Sequence, residues 1–240
     1  MKKEEIIIKL EDVHKSYFLD NQEEIHVLKW INLEIKSGEF VALMWESWWW
    51  KSTLLNIIAC LHPLNSWHYY LEWDNIWEVK DEDILAFIRN KKMWFIFQQF
   101  NLLPKLSALE NVELPALYNW TKEETRVSKA KELLNKVWLW DKYINKPWEL
   151  SWWQQQRVSI ARSLINNPEI LLADEPTWAL DSVTTHEVIE LIKSLKDEWK
   201  TIVMVTHTSE VAAAADRIIF LEDWRVTDCN YKLKKWVKIL

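Results

Sequence analysis

The chain of 240 residues is long enough for one large domain, or for a core with a subdomain. Its formal net charge of −6 argues against general nucleic-acid binding, which requires a basic face, so we expect no nucleic-acid partner. The two cysteines, Cys60 and Cys229, form no metal or redox spacing and favour a reducing compartment. No apolar run approaches the roughly 18 residues of a membrane span, and the start MKKEEIII lacks a secretory apolar segment.

Glycine is almost absent from the chain, and tryptophan is abundant. There is 1 glycine, Gly38, and there are 19 tryptophans, whereas ordinary usage of ~7% would give about 17 glycines. Tryptophan also stands where turns are predicted, in Asp223-Trp224-Arg225, Ser66-Trp67, Pro147-Trp148 and Glu198-Trp199-Lys200. We interpret these tryptophans as replacing glycine almost throughout, in a chain that is not natural as written.

Strand-like runs alternate with helical patterns along the chain. The runs FVALM, ILLA and TIVMVT are continuously apolar, as strands buried on both faces of a parallel sheet are. The alternation predicts an α/β fold with a mostly parallel sheet. The predicted strands are Ile6–Leu10, Ile31–Ile35, Phe40–Met44, Met93–Phe97, Ile170–Ala173, Thr201–Thr206 and Ile218–Leu221.

Three capping boxes predict helix starts in the middle of the chain. Ser107, Thr121 and Ser151 are each followed three residues later by Glu or Gln. From about 98 to 165 helical patterns follow one another with little strand. We therefore predict a single domain over 1–240, in which 1–97 and 166–240 form the α/β core and 98–165 is an inserted helical subdomain.

The segment WESWWWKST follows the predicted strand Phe40–Met44 and precedes an apolar-periodic helix. Phosphate-binding loops have this order, because helix N-terminal N–H groups attract anions, a lysine reaches the outer phosphates and a hydroxyl ligates Mg²⁺. With Trp45 and Trp50 read as glycines, the pattern is G-x-x-x-x-G-K-S; the alternative is a surface lysine at a helix start. The candidate residues are Trp45, Glu46, Ser47, Trp48, Trp49, Trp50, Lys51, Ser52 and Thr53.

Polar residues follow three other predicted strands. Asp174 and Glu175 end the buried run Ile170–Ala173, His207 follows Thr201–Thr206, and Gln98 follows Met93–Phe97. Ligands of open α/β sheets bind at the carboxyl ends of strands, where one acid can hold Mg²⁺ and its neighbour can orient a water. The alternatives are charged residues leaving a strand into solvent, a structural histidine and a loop glutamine. Features at three strand ends together favour one site.

Taken together, these motifs resemble the ATP-binding subunit of an ABC transporter along nearly the whole chain. WESWWWKST stands where that family has its phosphate loop and Asp174-Glu175 where it has its second acidic motif. Gln98 matches the Q-loop, Ala179-Leu180-Asp181 the D-loop, His207 the switch histidine, and Tyr17 the aromatic that stacks on adenine. The family's LSGGQ signature corresponds to Leu150, Ser151, Trp152, Trp153 and Gln154.

The resemblance implies a fold and a set of roles. The fold would be a P-loop NTPase core with an antiparallel β part near the N-terminus and an inserted helical subdomain. The cofactors would be ATP and Mg²⁺, with Lys51 on the β and γ phosphates, and with Ser52, Asp174 and Gln98 at the metal. Glu175 would polarise the attacking water. His207 would touch the γ-phosphate.

The resemblance also implies partners. Two copies would form a head-to-tail homodimer, in which each phosphate loop faces the partner's signature, and the dimer would drive an integral membrane permease. The chain would lie in the cytoplasm, peripheral on the inner face of the membrane. FQQFNLLPKLSALENVELP and LADEPTWALDS further resemble the lipoprotein-release and macrolide-export branch.

The tryptophans depart from the family pattern. An L-residue forced to φ > 0 costs about 1–2 kcal/mol, and ten such sites would cost roughly 10–20 kcal/mol, which rivals the ~5–15 kcal/mol stability of a whole domain. Indoles at Trp48 and Trp50 would also occupy space that phosphates need. We therefore predict impaired ATP binding and turnover for the chain as written.

Three alternatives remain open. The first is a catalytically dead or misfolded descendant of such a domain. The second is an ABC-type ATPase outside transport, although its long coiled coil is missing from the sequence. The third is a stacking module for sugars or bases, although the tryptophans follow turn positions rather than a groove or strand spacing.

Overall fold

The computed structural model describes residues 5–18, 24–45, 51–62, 66–198, 200–222 and 225–228. Short 3-10 helices lie at Ile76–Glu78 and Pro147–Glu149. In chain order the longer elements are β1 (Ile6–Phe18), β2 (Glu24–Lys36), β3 (Phe40–Trp45), α1 (Lys51–Ile58), β4 (Ser66–Leu71), β5 (Asp74–Asn75), α2 (Glu82–Lys92), β6 (Met93–Ile96), α3 (Ala108–Leu117), α4 (Glu123–Lys136), α5 (Trp152–Leu164), β7 (Ile170–Asp174), α6 (Ser182–Asp197), β8 (Thr201–Val205), α7 (Ser209–Ala212), β9 (Arg217–Glu222) and β10 (Arg225–Asp228).

The chain divides into two compact units, of which the first comprises 1–85 and 201–240. It contains an antiparallel sheet in the order β2-β1-β4-β5 and four further strands in the order β10-β9-β3-β8. β3 runs parallel to β8 and to β9, while β9 and β10 form an antiparallel hairpin. The described side chains of β3 and all those of β8 are buried, as their continuous apolar sequences predict.

The second unit comprises 86–200. β6 and β7 pair in parallel, with Met93 beside Ile170 and Ile96 beside Ala173. α3 packs against α4 and α5, and α4 also packs against α5. The predicted α/β class, with parallel strands, an antiparallel part near the N-terminus and a run of helices, is confirmed. The division into a core of 1–97 and 166–240 and a subdomain of 98–165 stays a prediction.

Two predictions about the antiparallel sheet need correction. β1 and β2 each extend over 13 residues, well beyond the predicted Ile6–Leu10 and Ile31–Ile35. Ser66-Trp67, interpreted as a turn, instead opens β4, where Ser66 pairs with His14 of β1. Backbone pairing with β1 outweighs the local turn signal, and the following His-Tyr-Tyr-Leu run suits a half-buried strand.

The capping boxes at Ser107 and Ser151 are confirmed, and the one at Thr121 is wrong. The Ser107 hydroxyl accepts from the Glu110 N–H at 3.2 Å, and the Glu110 carboxylate accepts from the Ser107 N–H at 2.7 Å. These reciprocal bonds hold the pKa of Glu110 below its usual value. Helix α4 starts at Glu123, one residue later than the box predicts, so that Lys122 is its N-cap and makes no side-chain cap bond.

Tryptophans at the ends of α3 and α4 occupy left-handed backbone positions. Trp120 has φ of 55° and Trp138 has φ of 59°. After α3, the Trp120 N–H donates to Leu117 and the Thr121 N–H donates to Ala116. This is the Schellman arrangement, in which the residue at the left-handed position is usually glycine. Trp138 repeats it after α4, where its N–H donates to Asn135 and the next N–H donates to Leu134.

Of the other described tryptophans, one more has a left-handed backbone, whereas Trp67 and Trp94 lie within strands and do not. Trp30, inside β2, also has positive φ, at 50°. None of the tryptophans whose burial is described is fully buried, and Trp120 is 94% exposed. They do not form one core cluster, as expected if they stand at glycine positions. The replacement of glycine itself stays our interpretation.

We predict that Trp120→Gly unfolds at a higher urea concentration than Trp120→Ala. Both variants remove the exposed indole, but only glycine adopts φ > 0 without strain, so the difference should be about 1 kcal/mol in favour of glycine. Urea denaturation followed by circular dichroism measures this difference. Equal midpoints for the two variants would show that the left-handed position is not strained.

The caps provide a second prediction. Ser107→Ala should lower the free energy of unfolding by about 1 kcal/mol, because it leaves a helix N–H without its acceptor. Thr121→Ala serves as the matched control and should change stability by less than about 0.5 kcal/mol, since Thr121 caps no helix. A loss at Thr121 as large as that at Ser107 would contradict the observed start of α4.

Candidate functional site

Within the first unit, β3 and β8 end at the same edge. Leu43 pairs with Val205, and the Thr206 N–H continues the ladder by donating to the Leu43 carbonyl at 3.1 Å. β3 ends at Trp45 and α1 begins at Lys51, so the predicted order of strand, connection and helix is present. His207 is exposed and lies two residues after β8, at this edge.

Part of the phosphate-loop segment (45–53) lies outside the described residues. This applies to Glu46, Ser47, Trp48, Trp49 and Trp50, and to the side chains of Trp45, Lys51 and Ser52. Thr53 is buried in the first turn of α1, among apolar side chains that include Leu54 and Leu55. The described backbone therefore places the Lys-Ser-Thr triplet at a helix N-terminus, where N–H groups favour an anion.

Within the second unit, β6 and β7 bring Gln98 and the two carboxylates to a common edge. Asp174 is the last residue of β7, and Gln98 follows β6 by two residues. Because Ile96 pairs with Ala173 in a parallel ladder, β6 and β7 end at the same edge and the residues after them leave in the same direction. Asp174 and Glu175 are buried and Gln98 is half-buried, so these oxygen-bearing groups are partly shielded from water.

Glu175 has an unusual backbone conformation. Its φ is 44°, in the left-handed region that a residue with a Cβ seldom enters. The turn that follows is closed by the Trp178 N–H, which donates to the Glu175 carbonyl at 3.1 Å, and by the Leu180 N–H, which donates to Thr177. Such positions cost on the order of 1–3 kcal/mol and concentrate at functional sites, which supports a role for this carboxylate.

The signature segment (Leu150–Gln154) forms the start of α5. Ser151 is the N-cap: its N–H donates to the Gln154 side chain at 2.9 Å, and its hydroxyl accepts from the Gln154 N–H at 3.4 Å. Leu150 is buried, whereas Trp152 is 65% exposed on the first turn. The Trp153 ring stacks on the Arg157 guanidinium, 4.6 Å from the ring centroid.

Arg162, which the sequence did not single out, holds the residues after Gln98. Its guanidinium donates to the carbonyls of Phe100 at 2.7 Å and Asn101 at 2.6 Å, two residues with positive φ. Burial lowers the pKa of Arg162 to about 10, so the guanidinium is still charged at neutral pH. It stabilises a tight backbone bend with two charge-assisted hydrogen bonds.

Asn111, on α3, holds the continuation of the same segment. Its fully buried amide donates to the carbonyls of Leu103, Leu106 and Ser107, and its oxygen accepts from the Leu103 N–H at 2.8 Å. Because the amide has only two N–H donors, one of them is shared between two carbonyls, and the side chain holds four backbone groups in this way. No clear sequence signal pointed to this role, because Asn111 stands between Glu110 and Glu113 in α3.

Two further predicted site residues lie elsewhere. Asp181 is the N-cap of α6, accepting from the N–H groups of Val183 at 3.0 Å and Thr184 at 3.1 Å. Hydrogen bonds from Thr184 lower the pKa of the Asp181 carboxyl. Tyr17 lies on β1, 39% exposed, with the Lys15 ammonium 5.1 Å from its ring centroid. Both side chains are accessible at their positions.

Comparison with known proteins agrees with this arrangement. A family model described as ABC transporter matches residues 28–178. An ABC transporter ATP-binding protein of Bacillus subtilis is 48% identical over 217 residues, covering 90% of this chain and 94% of that protein. The chain belongs to the ABC transporter family. The resemblance inferred from the motifs is therefore confirmed.

Two further proteins are similar to this chain over most of its length. A macrolide export ATP-binding/permease protein of Mannheimia succiniciproducens is 46% identical over 94% of this chain, which spans only 35% of that protein. A dimeric ATP-binding cassette of Methanocaldococcus jannaschii bound to ADP and Pi superposes with a TM-score of 0.85 at 46% identity, covering 92% of this chain and 97% of that chain.

The ABC transporter match includes most predicted site residues. Residues 45–53, Gln98, the signature segment and Asp174-Glu175 all fall within 28–178, whereas Tyr17, Asp181 and His207 lie outside it. None of the described helices combines the length and apolar character needed to cross a membrane. The roles of the individual residues stay predictions.

We predict that Arg162→Met loosens the segment around Phe100 and Asn101. Without the guanidinium, two carbonyls of the bend lose their donors, so amide hydrogens in 98–103 should exchange about tenfold faster or more. Hydrogen exchange read by mass spectrometry gives this rate for each peptide. Arg126→Met is the control, since it removes an arginine that pairs with Glu113 and does not touch the bend. Unchanged amide exchange rates in 98–103 of Arg162→Met would show that the bend is stable without the guanidinium.

Proposed function

We propose that this chain is the ATP-binding and ATP-hydrolysing subunit of an ABC-type membrane exporter. The observation that carries the proposal is the chemistry at the strand ends. A Lys-Ser-Thr helix start follows β3, and two buried carboxylates, Asp174 and Glu175, lie at the end of β7. These are the parts that phosphoryl transfer requires, a phosphate anchor and oxygen ligands for a divalent cation, and they occur in a member of the ABC transporter family.

The phosphate-loop segment would hold the nucleotide's phosphates. The Lys51 ammonium neutralises the β and γ phosphates, while N–H groups at the start of α1 donate to phosphate oxygens. Ser52, Asp174 and Gln98 supply a hydroxyl, a carboxylate and an amide oxygen, a ligand set that suits Mg²⁺. When bound, the ion would neutralise charge on the phosphate oxygens. The Tyr17 ring would stack on adenine.

Hydrolysis would depend on two residues beside this anchor. Glu175 accepts a hydrogen bond from the attacking water and orients it toward the γ-phosphate. Its left-handed backbone fixes the direction in which the carboxylate leaves β7. His207, after β8, donates to the γ-phosphate and stabilises charge there as the bond to the leaving oxygen breaks.

The partners follow from the relatives. One phosphate-loop segment and one signature segment per chain suit a head-to-tail homodimer, and a similar cassette is dimeric with ADP and Pi. In that dimer, Leu150, Ser151, Trp152, Trp153 and Gln154 would approach the partner's nucleotide. The macrolide export relative is named as both an ATP-binding protein and a permease. We therefore propose that this chain binds an integral membrane permease and lies on the cytoplasmic face of the membrane.

A catalytically inactive cassette is the second candidate, and the tryptophans favour it for the literal chain. Trp48, Trp49 and Trp50 stand where phosphates must approach backbone N–H groups, and each brings a bulky indole. Elsewhere in the chain, Trp120 and Trp138 occupy Schellman positions, for which glycine is the preferred residue. We therefore propose that ATP binding and turnover are impaired in the chain as written and return when glycine is restored.

Stepwise restoration of glycine tests the proposal. With Trp45, Trp48, Trp49 and Trp50 changed to glycine, Mg-ATP binding should appear without turnover, because the cradle reopens but the signature segment does not. Adding Trp152→Gly and Trp153→Gly should then give ATP-dependent dimerisation and hydrolysis. Binding is measured by calorimetry, the oligomeric state by light scattering and turnover by phosphate release.

Controls separate activity from folding. In the fully restored chain, Glu175→Gln should remove most turnover while ATP still binds, whereas Glu169→Gln, an exposed acid preceding β7, should leave the rate unchanged. In the chain as written, Glu175→Gln should change nothing measurable. A variant with all 19 tryptophans restored that folds by circular dichroism yet binds no nucleotide would overturn the proposed function.

A further inference from the structure

Two histidines and a glutamate meet on the first two strands. One ligand atom each from His14 of β1 and from Glu24 and His26 of β2 lie within 4.8 Å of one another. The two imidazole rings are 5.4 Å apart between centroids. None of the three has a role in the proposed nucleotide chemistry.

Strand pairing explains why these side chains converge. Ser16 pairs with His26 and Phe18 pairs with Glu24 in the antiparallel β1–β2 ladder. Glu24 and His26 are two residues apart on β2 in a regular part of the ladder, so their side chains leave the same face of the strand. The register shifts between Val13 and Ser16 on β1, and His14 lies in this irregular stretch. The three ligands are therefore carried on a paired backbone rather than on separate mobile segments.

Hydrogen bonding leaves capacity for a ligand. His26 Nδ1 lies 2.8 Å from the Ser16 hydroxyl and 3.6 Å from a Glu24 carboxylate oxygen. Ser16 thus orients one imidazole through Nδ1, so that His26 would bind an ion through Nε2, as a histidine with an outer partner on its other nitrogen does. His14 Nδ1 is buried and, among the described residues, has no hydrogen-bond partner. An inaccessible ring nitrogen without a partner is costly unless something occupies it.

We propose that His14, Glu24 and His26 bind a divalent transition-metal ion, with Zn²⁺ the best match. Two imidazoles and one carboxylate are a known zinc donor set, which leaves a fourth position for water. Imidazole ligands favour such ions over Mg²⁺ or Ca²⁺, which prefer oxygen.

The site closes with modest side-chain movement. Zinc–ligand bonds of about 2.0–2.1 Å place tetrahedral ligand atoms about 3.3 Å apart, against the observed limit of 4.8 Å. The side chains of Glu24 and His26 are each 42% exposed, which leaves space for small rotations toward His14. The backbone pairing of β1 with β2 stays as it is.

Zinc titration of the full chain, without nucleotide, tests the site. Competition with a chromogenic chelator should show one Zn²⁺ per chain, and binding should weaken at least tenfold in His14→Ala, His26→Ala and Glu24→Gln. Tenfold is the lower bound of what losing even an outer-shell partner costs. His68→Ala is the matched control, because His68 is an exposed histidine of β4 outside the cluster, and it should bind Zn²⁺ as the parent does.

Glu24→Gln keeps the proposal testable if a histidine variant fails to fold, because it preserves size at an exposed position. Co²⁺ gives a second readout, since a tetrahedral nitrogen and oxygen site produces visible absorption that Glu24→Gln should change. Equal Zn²⁺ affinity in the parent and in Glu24→Gln would overturn the proposal, leaving a His26–Glu24 ion pair. So would a loss in His68→Ala as large as that in His26→Ala. Because no nucleotide is present, these outcomes do not depend on the ATP assignment.

Discussion

Parallel pairing of buried strands is the constraint on which the candidate site depends. Leu43 beside Val205 in one unit, and Ile96 beside Ala173 in the other, fix the direction of each pair. The described side chains of these strands are buried except for the half-buried Trp94, so the middles of the strands do not carry polar side chains toward solvent. The first positions free to do so are the carboxyl ends. Lys51, Gln98, Asp174 and His207 all occur within six residues of such an end.

Chirality is the second constraint, and it acts on the backbone rather than on side chains. Glu175, Trp120 and Trp138 all have positive φ, but in different contexts. The two tryptophans end helices in Schellman turns, where strain serves no chemistry and glycine would remove it. Glu175 directs a buried carboxylate from the end of β7. Under the proposed function, the same strain is dispensable at the two helix ends and serves catalysis at Glu175.

The sequence predicted those features that depend on short-range patterns. Buried strands were recognised from continuous apolar runs, and Ser107 and Ser151 from residues three positions apart. Thr121 shows the limit of that method: the same spacing occurs, but the helix starts after Lys122 and the box does not form. Ser66-Trp67 shows another, because pairing with His14, 52 positions earlier, places it in a strand.

Long-range contacts from side chain to backbone left almost no pattern to recognise. Arg162 reaches the carbonyls of residues 61 and 62 positions earlier, and an arginine on a helix usually points to solvent. Asn111 acts over a shorter distance, yet its four hydrogen bonds depend on a loop path that no periodicity predicts. Residues of this kind hold the backbone of a loop in place. Their role can be recognised only when the path of that loop is known.

Helix α5 connects the signature segment to the bend at Phe100 and Asn101. Its first turn is capped by Ser151 in the signature segment, and Arg162, near its other end, binds the bend at Phe100 and Asn101. Arg162 stands eleven positions after Ser151, which corresponds to a rise of about 16 Å along the helix. A displacement of α5 must therefore move both the signature segment and the residues after Gln98, unless Arg162 releases its carbonyls. Releasing them would leave a buried guanidinium without two of its acceptors, at a cost of about 1–3 kcal/mol or more. Within this unit, the two segments are thus expected to move together rather than independently.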